Sequence, residues 1–168
     1  MKVHVCKITI SCYYHLRRLF QLRNLVSQKV MAQLGKSLIL FRLDYCNSVL
    51  INLPASTIAP LQRVKNTAIR LVLGLDRRSS ITAALCKLHW LPVHYRLLFK
   101  MATLMHDVFH QRRPAYIHNL VTFTESDSAQ SWLRSSTTRS AVTVRTRTKL
   151  GGRDFSVSGP TAVEQFTV

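Results

Sequence analysis

A mainly α-helical fold is what the sequence predicts: a compact bundle of about five helices, then a flexible Ser/Thr-rich linker and a small β-hairpin tail. Three observations predict it. Apolar residues recur every three or four positions through the first two thirds of the chain, the period of a helix with one buried face. Ser27, Pro54, Gly74, Pro92 and Pro114 punctuate that pattern at helix-length intervals. Past residue 121 the periodicity stops, Ser and Thr dominate, and strict alternation follows from 141 to 149.

From Cys12 to Val26, Tyr13, Leu16 and Phe20 form a stripe that Leu19 and Leu22 widen, with Arg17, Arg18 and Arg23 mostly off it. Ser27 is placed to cap a second helix, whose apolar positions Val30, Leu34, Leu38, Phe41 and Tyr45 run to about Leu50, and Pro54 closes it. A third helix begins near Ser56 or Thr57, takes Pro60 in its first turn, carries Leu61, Val64, Ala68, Leu71 and Leu75 on one side, and ends at Gly74. After a polar turn, Ile81 to Leu88 forms a short helix. His89, Trp90, Leu91 and Pro92 make a tight corner, and a long helix follows that buries Val93, Leu97, Met101, Leu104 and Val108 up to Pro114. A short turn of helix through Leu120 completes a module spanning 1–121. The linker covers 122–140. In the tail, 141–168, the alternating AVTVRTRTK and the segment DFSVSG flank Gly151-Gly152 as the two arms of a hairpin.

The charge is strongly one-sided. The chain has 24 Lys plus Arg against 7 Asp plus Glu, and 16 of the basic residues are Arg. Residues 1–120 hold 18 basic and 3 acidic residues, so the helical module carries most of the imbalance. Such a surface favours a polyanion. The guanidinium fork suits phosphate, whereas anionic membranes are read by Lys-rich clusters beside an apolar face, so RNA or an RNA–DNA hybrid is the expected partner and a membrane is not. Arg63, Arg70 and Arg77 recur every seven residues, near one helical face, with Arg78 beside the last; Arg17, Arg18, Arg23, Arg96, Lys100, Arg112 and Arg113 extend the candidate nucleic-acid surface. No apolar run reaches the roughly twenty residues of a membrane span, and Cys6, Cys12, Cys46 and Cys86 lack zinc-site spacing, which points to free thiols in a reducing nucleus or cytoplasm rather than to secretion.

No catalytic constellation emerges. The acids Asp44, Asp76, Asp107, Glu125, Asp127, Asp154 and Glu164 are scattered, whereas two-metal nucleotidyl transfer needs clustered carboxylates. His106 and His110 share a helical face without the Glu of a His-Glu-x-x-His motif. No Gly-x-Ser-x-Gly elbow or Gly-rich phosphate loop occurs. The chain by itself is expected to be non-catalytic, without metal or cofactor.

Four blocks, YHLRRL at 14–19, FRLDYCNSVL at 41–50, LQRVKNTAIRLVLGL at 61–75 and LHWLPVHYRLLFK at 88–100, continue through RPAYIHNLV at 113–121 and RTRTKLGGRDFSVSGPTA at 145–162. In this order and spacing the chain resembles the region downstream of the palm in Jockey-like non-LTR retrotransposon reverse transcriptases, over nearly its whole length. The resemblance implies a parent RNA-directed DNA polymerase with an endonuclease, in which this thumb-like region holds the template and its growing DNA partner. It carries over none of the family's metal-binding carboxylates. Asp44, Tyr45 and Asn47 are expected to organise a helix end instead. The chain begins at Met1 where the family is still leaving the palm, and ends at EQFTV where the family commonly continues with a Trp-Asn-Ser-like segment; a truncated or decayed copy is implied. Besides nucleic-acid binding, two other readings stand: a packing module for a separate palm domain, and a decayed fragment without function.

Overall fold

The computed structural model describes residues 1–45, 47–123 and 141–165 and is mainly helical. Its elements are α1 (Lys2–Leu22), α2 (Gln28–Gly35), a π turn (Lys36–Leu40), α3 (Phe41–Asp44), a 3-10 turn (Asn47–Leu50), α4 (Ala55–Leu73), α5 (Ile81–Leu88), α6 (Val93–Phe109), α7 (Ala115–His118), a second 3-10 turn (Gly151–Arg153) and α8 (Phe155–Glu164). The chain separates into two compact units, Met1–Leu97 and Leu98–Val168. The division therefore falls inside α6, a different place from the Val121 boundary drawn on charge and composition.

In the first unit α1 packs along α4, with α2, the π turn and α3 beside them. Helix α1 starts ten residues before the predicted Cys12, because Lys2 and Lys7 fall on its exposed side and leave Val5 to reach the core. Val5, Cys12, Leu16 and Leu19 are its buried positions, whereas Phe20 is 67 % exposed. The expected stripe through Tyr13 and Phe20 was thus turned toward solvent. Ser27 caps α2 by accepting from Val30 N, as its position predicts.

The next stretch was read one residue out of phase. Met31, Gly35, Ile39, Leu40 and Leu43 are buried, while Val30, Phe41 and Tyr45 are exposed. The cause is local: the Phe41 N–H bonds Lys36 O, five residues back, so the π turn inserts an extra residue and rotates everything after it. Gly35 belongs to this face because a Cβ there would lie 3.3 Å from Val72 Cγ2 and 3.4 Å from Trp90 Cη2.

Helix α4 keeps the predicted face, with Leu61, Val64, Ala68 and Leu71 buried, but Lys65 is buried among them. It ends where Gly74 adopts φ +69°, and the Leu75 N–H bonds Arg70 O at 3.0 Å to close the last turn. A Cβ at Gly74 would also meet Arg23 Nη2 at 2.5 Å. Gly74→Ala should therefore cost about 1–2 kcal/mol, from left-handed strain plus displacement of Arg23. Its urea midpoint checks this, and an unchanged midpoint would place Gly74 outside the closure of α4.

Helices α5 and α6 lie where the punctuation put them. Between them His89 takes φ +53°, the Trp90 N–H bonds Leu85 O at 3.0 Å, and Trp90 itself is buried. The corner's backbone groups find partners on α4: Lys65 Nζ donates to Leu91 O, and the Val93 N–H donates to Gln62 Oε1 at 2.8 Å. Helix α6 buries Val93, Leu97, Met101 and Val108 as expected; Leu104 is only half-buried, and Leu98 and Met105 are buried in addition.

In the second unit a small core joins Met105 and Val108 of α6 to Val121 and Phe123, with Phe109, Ile117, Ala141 and Phe155 against it. Phe123 and Ala141 form an isolated antiparallel bridge, supported by the Val142 N–H to Thr122 O bond of 2.8 Å. The predicted hairpin does not form: among the described residues no strand is present. Gly151-Gly152 enters a 3-10 turn held by Thr148, whose Oγ1 accepts from Gly151 N at 3.0 Å and whose carbonyl accepts from Gly152 N at 3.1 Å. The DFSVSG segment opens α8, with Ser158, Gly159, Pro160 and Ala162 buried. Phe155 and Val157 looked like strand alternation, but Phe155, Ser158 and Ala162 recur at helical spacing and turn one face inward. Of the predicted linker, residues 124–140 lie outside the described residues.

Candidate nucleic-acid interface

Basic side chains in the first unit divide into exposed and engaged groups. Arg17 and Arg18 on α1, Arg23 just beyond it, and Arg63 on α4 are exposed. Arg63 and Arg70, seven residues apart, share the outward side of α4, since Leu61, Val64 and Ala68 take the inward side. Arg70 is only half-exposed, and its Nε is buried without a hydrogen-bond partner.

Arg77 departs from the expected row. Gly74 ends the helix three residues before it, so Arg77 and Arg78 stand in the following turn rather than on the α4 face. That turn is built by Asp76, whose Oδ1 accepts from Arg77 N at 2.7 Å and whose carbonyl accepts from Ser79 N at 3.2 Å. Both arginines are exposed. Arg23 also lies against this end of α4, at Gly74, and there a cation meets the negative pole of the helix. The structure therefore brings Arg23 to the point from which the chain runs into Arg77 and Arg78, a grouping that seven-residue spacing does not reveal.

Arg96 is committed elsewhere. Its Nε donates to Asp44 Oδ1 at 2.7 Å and its Nη2 bonds Asp44 Oδ2, both side chains being about a third exposed. Asp44 closes α3, as expected of a helix-end residue, and its carboxylate holds α6. The sequence reading missed the third member of this cluster, Lys65. Its side chain is wholly buried, and burial pushes its amine down to about 8; Arg96 adds to that shift and Asp44 opposes it. The signal was available, since Leu61, Val64, Lys65 and Ala68 follow i, i+3, i+4, i+7 and place a lysine inside an apolar stripe.

In the second unit Lys100 and Arg112 are exposed. Arg113 is held by Asp107 through Nε and Nη2, at 3.0 and 2.6 Å from Oδ2. His106 and His110 face each other with ring centroids 4.4 Å apart, but among the described residues no group of three His, Cys, Asp or Glu side chains could hold a metal ion. Cys12 is buried, which pushes its thiol up to about 11 and keeps it protonated. No helix among the described residues is long and apolar enough to cross a membrane.

The distribution of acids sharpens the picture. From Met1 to Leu43 the chain carries eight Lys and Arg residues and no Asp or Glu. Neither α1 nor the outer side of α2 offers a carboxylate to neutralise a neighbouring cation. A surface of this kind holds a positive potential that only an external anion can compensate. No protein-family model, curated protein or solved structure matches the chain.

Proposed function

We propose that this chain is a non-catalytic, nucleic-acid-binding helical module of a retrotransposon reverse transcriptase, which holds RNA or an RNA–DNA hybrid by contacts to phosphate. The observation that carries the binding is the set of exposed cations on the first unit, Arg17, Arg18, Arg23, Arg63, Arg77 and Arg78, for which no carboxylate partner occurs among the described residues. Arg96 and Arg113, tied to Asp44 and Asp107, contribute less, and Arg70 contributes through the exposed part of its guanidinium. The retrotransposon assignment rests on the resemblance of the four sequence blocks.

Replacing Arg63, Arg77 and Arg78 together with Gln tests the reading. Each lost phosphate contact should weaken binding to every sequence alike and flatten the salt dependence, with the slope of log K against log salt shrinking by about 0.9 per contact on duplex. Unchanged affinity and slope in the folded triple variant would remove this surface from the account.

A second reading, a packing module for a separate palm domain, is favoured by Phe41 and Tyr45, which leave 79 % and 68 % of their surfaces open at the end of α3. Recovery of a stable complex with a separately expressed palm, with no nucleic-acid binding by either the chain or its triple variant, is the outcome that reading predicts.

A further inference from the structure

The outward side of α1 carries side chains that neither the core nor a row of phosphate contacts explains. Val3, Ile10 and Tyr14 are 69 %, 70 % and 55 % exposed. They lie seven and four residues apart, on the side opposite Val5, Cys12, Leu16 and Leu19, and Lys7, Arg17 and Arg18 interleave with them. Tyr14 is also specifically held. The Arg18 guanidinium carbon stands 5.6 Å from its ring centroid, Arg18 Nη2 donates to its hydroxyl at 3.4 Å, and the His15 ring meets it edge-on at 5.5 Å. An aromatic ring fixed by a guanidinium, more than half open to solvent and set among cations, combines the two features that bind single-stranded nucleic acid: a π face for a base and positive charge for the backbone.

We infer that Tyr14, braced by Arg18 and flanked by Lys7 and Arg17, is a stacking platform for an unpaired base of single-stranded RNA. The inference rests on the proposed nucleic-acid-binding function and adds to it. The α4 side and the turn after it read only phosphate, whereas Tyr14 distinguishes a strand with accessible bases from one without. The absence of any carboxylate between Met1 and Leu43 favours a polyanion over an uncharged protein partner on this side of the helix.

The test uses the full chain and fluorescence anisotropy with three labelled probes: an oligouridylate of about 12 nucleotides, an abasic strand with the same number of phosphates, and an RNA–DNA hybrid. The wild-type chain should prefer the base-bearing strand over the abasic one by about ten-fold. Tyr14→Phe should keep that preference, and Tyr14→Ala should lose it while retaining hybrid binding. Tyr14 is exposed on a helix, so alanine should fold, and helical circular dichroism verifies it. Equal wild-type affinity for both strands, or a preference that survives Tyr14→Ala, overturns the stacking site alone if hybrid binding persists. Failure to bind all three probes overturns it together with the proposed function. Self-association abolished by Ile10→Ser, without any base preference, would instead assign the stripe to a protein contact.

Discussion

Replacing Asp44 with Asn is expected to destabilise the fold by about 2–3 kcal/mol, the largest loss anticipated for a single polar substitution in this chain. Asp44 forms the two-point contact with Arg96, and its charge also favours the protonated amine of Lys65. Asparagine keeps the shape but leaves Arg96 and the buried Lys65 as neighbouring cations without a counter-charge. Breaking a fully buried pair costs about 3–5 kcal/mol, and the one-third exposure of Asp44 and Arg96 lets water recover part of it. Urea unfolding followed by helical circular dichroism should show a lower midpoint. An unchanged midpoint would mean that Arg96 re-solvates freely and that the α3 to α6 tie is incidental.

Lys65→Met should act in the opposite direction near neutral pH. Burial lowers the folded-state pKa of Lys65 from 10.5 to about 8, so below pH 8 both folded and unfolded chains carry the proton, and the folded state bears the full cost of a buried charge. Between pH 8 and 10.5 the unfolded chain holds more protons, and wild-type stability rises with pH; above 10.5 both amines are neutral and the cost has vanished. Methionine removes that cost of about 3 kcal/mol at pH 7 but leaves Leu91 O without its donor, at about 1 kcal/mol or more. The variant should therefore be about 1–2 kcal/mol more stable than wild type at pH 7, and the difference should shrink or reverse by pH 10.5. A stability difference independent of pH over 7–10.5 would show that Lys65 does not titrate in this window.

These residues also show where the sequence was legible. Helix α5 and the start of α6 were placed correctly because Ser80, the His89–Pro92 corner and the period of Val93, Leu97 and Met101 all agree. The face of α2 and α3 was lost at the π turn, where an extra residue shifts the phase without any mark in composition. Arg63, Arg70 and Arg77 were equally spaced in sequence, but the left-handed Gly74 interrupts the helix between the second and third. The hairpin misreading came from β-branched alternation: Val144, Arg145, Thr146 and Arg147 stay exposed because no neighbouring strand exists for them to pair with among the described residues. Charge sign and exposure were readable from composition. Which cations are occupied was not, because Arg96 finds Asp44 across 52 residues of chain.

The most direct measurement is the affinity of the folded wild-type chain for an RNA–DNA hybrid across a salt series. With about four or five phosphates neutralised by the exposed arginines, log K should fall against log salt with a slope of about −4. Absence of binding at low salt, from a sample whose helicity is intact, would contradict the nucleic-acid function and leave a packing module whose charge has no polyanionic partner.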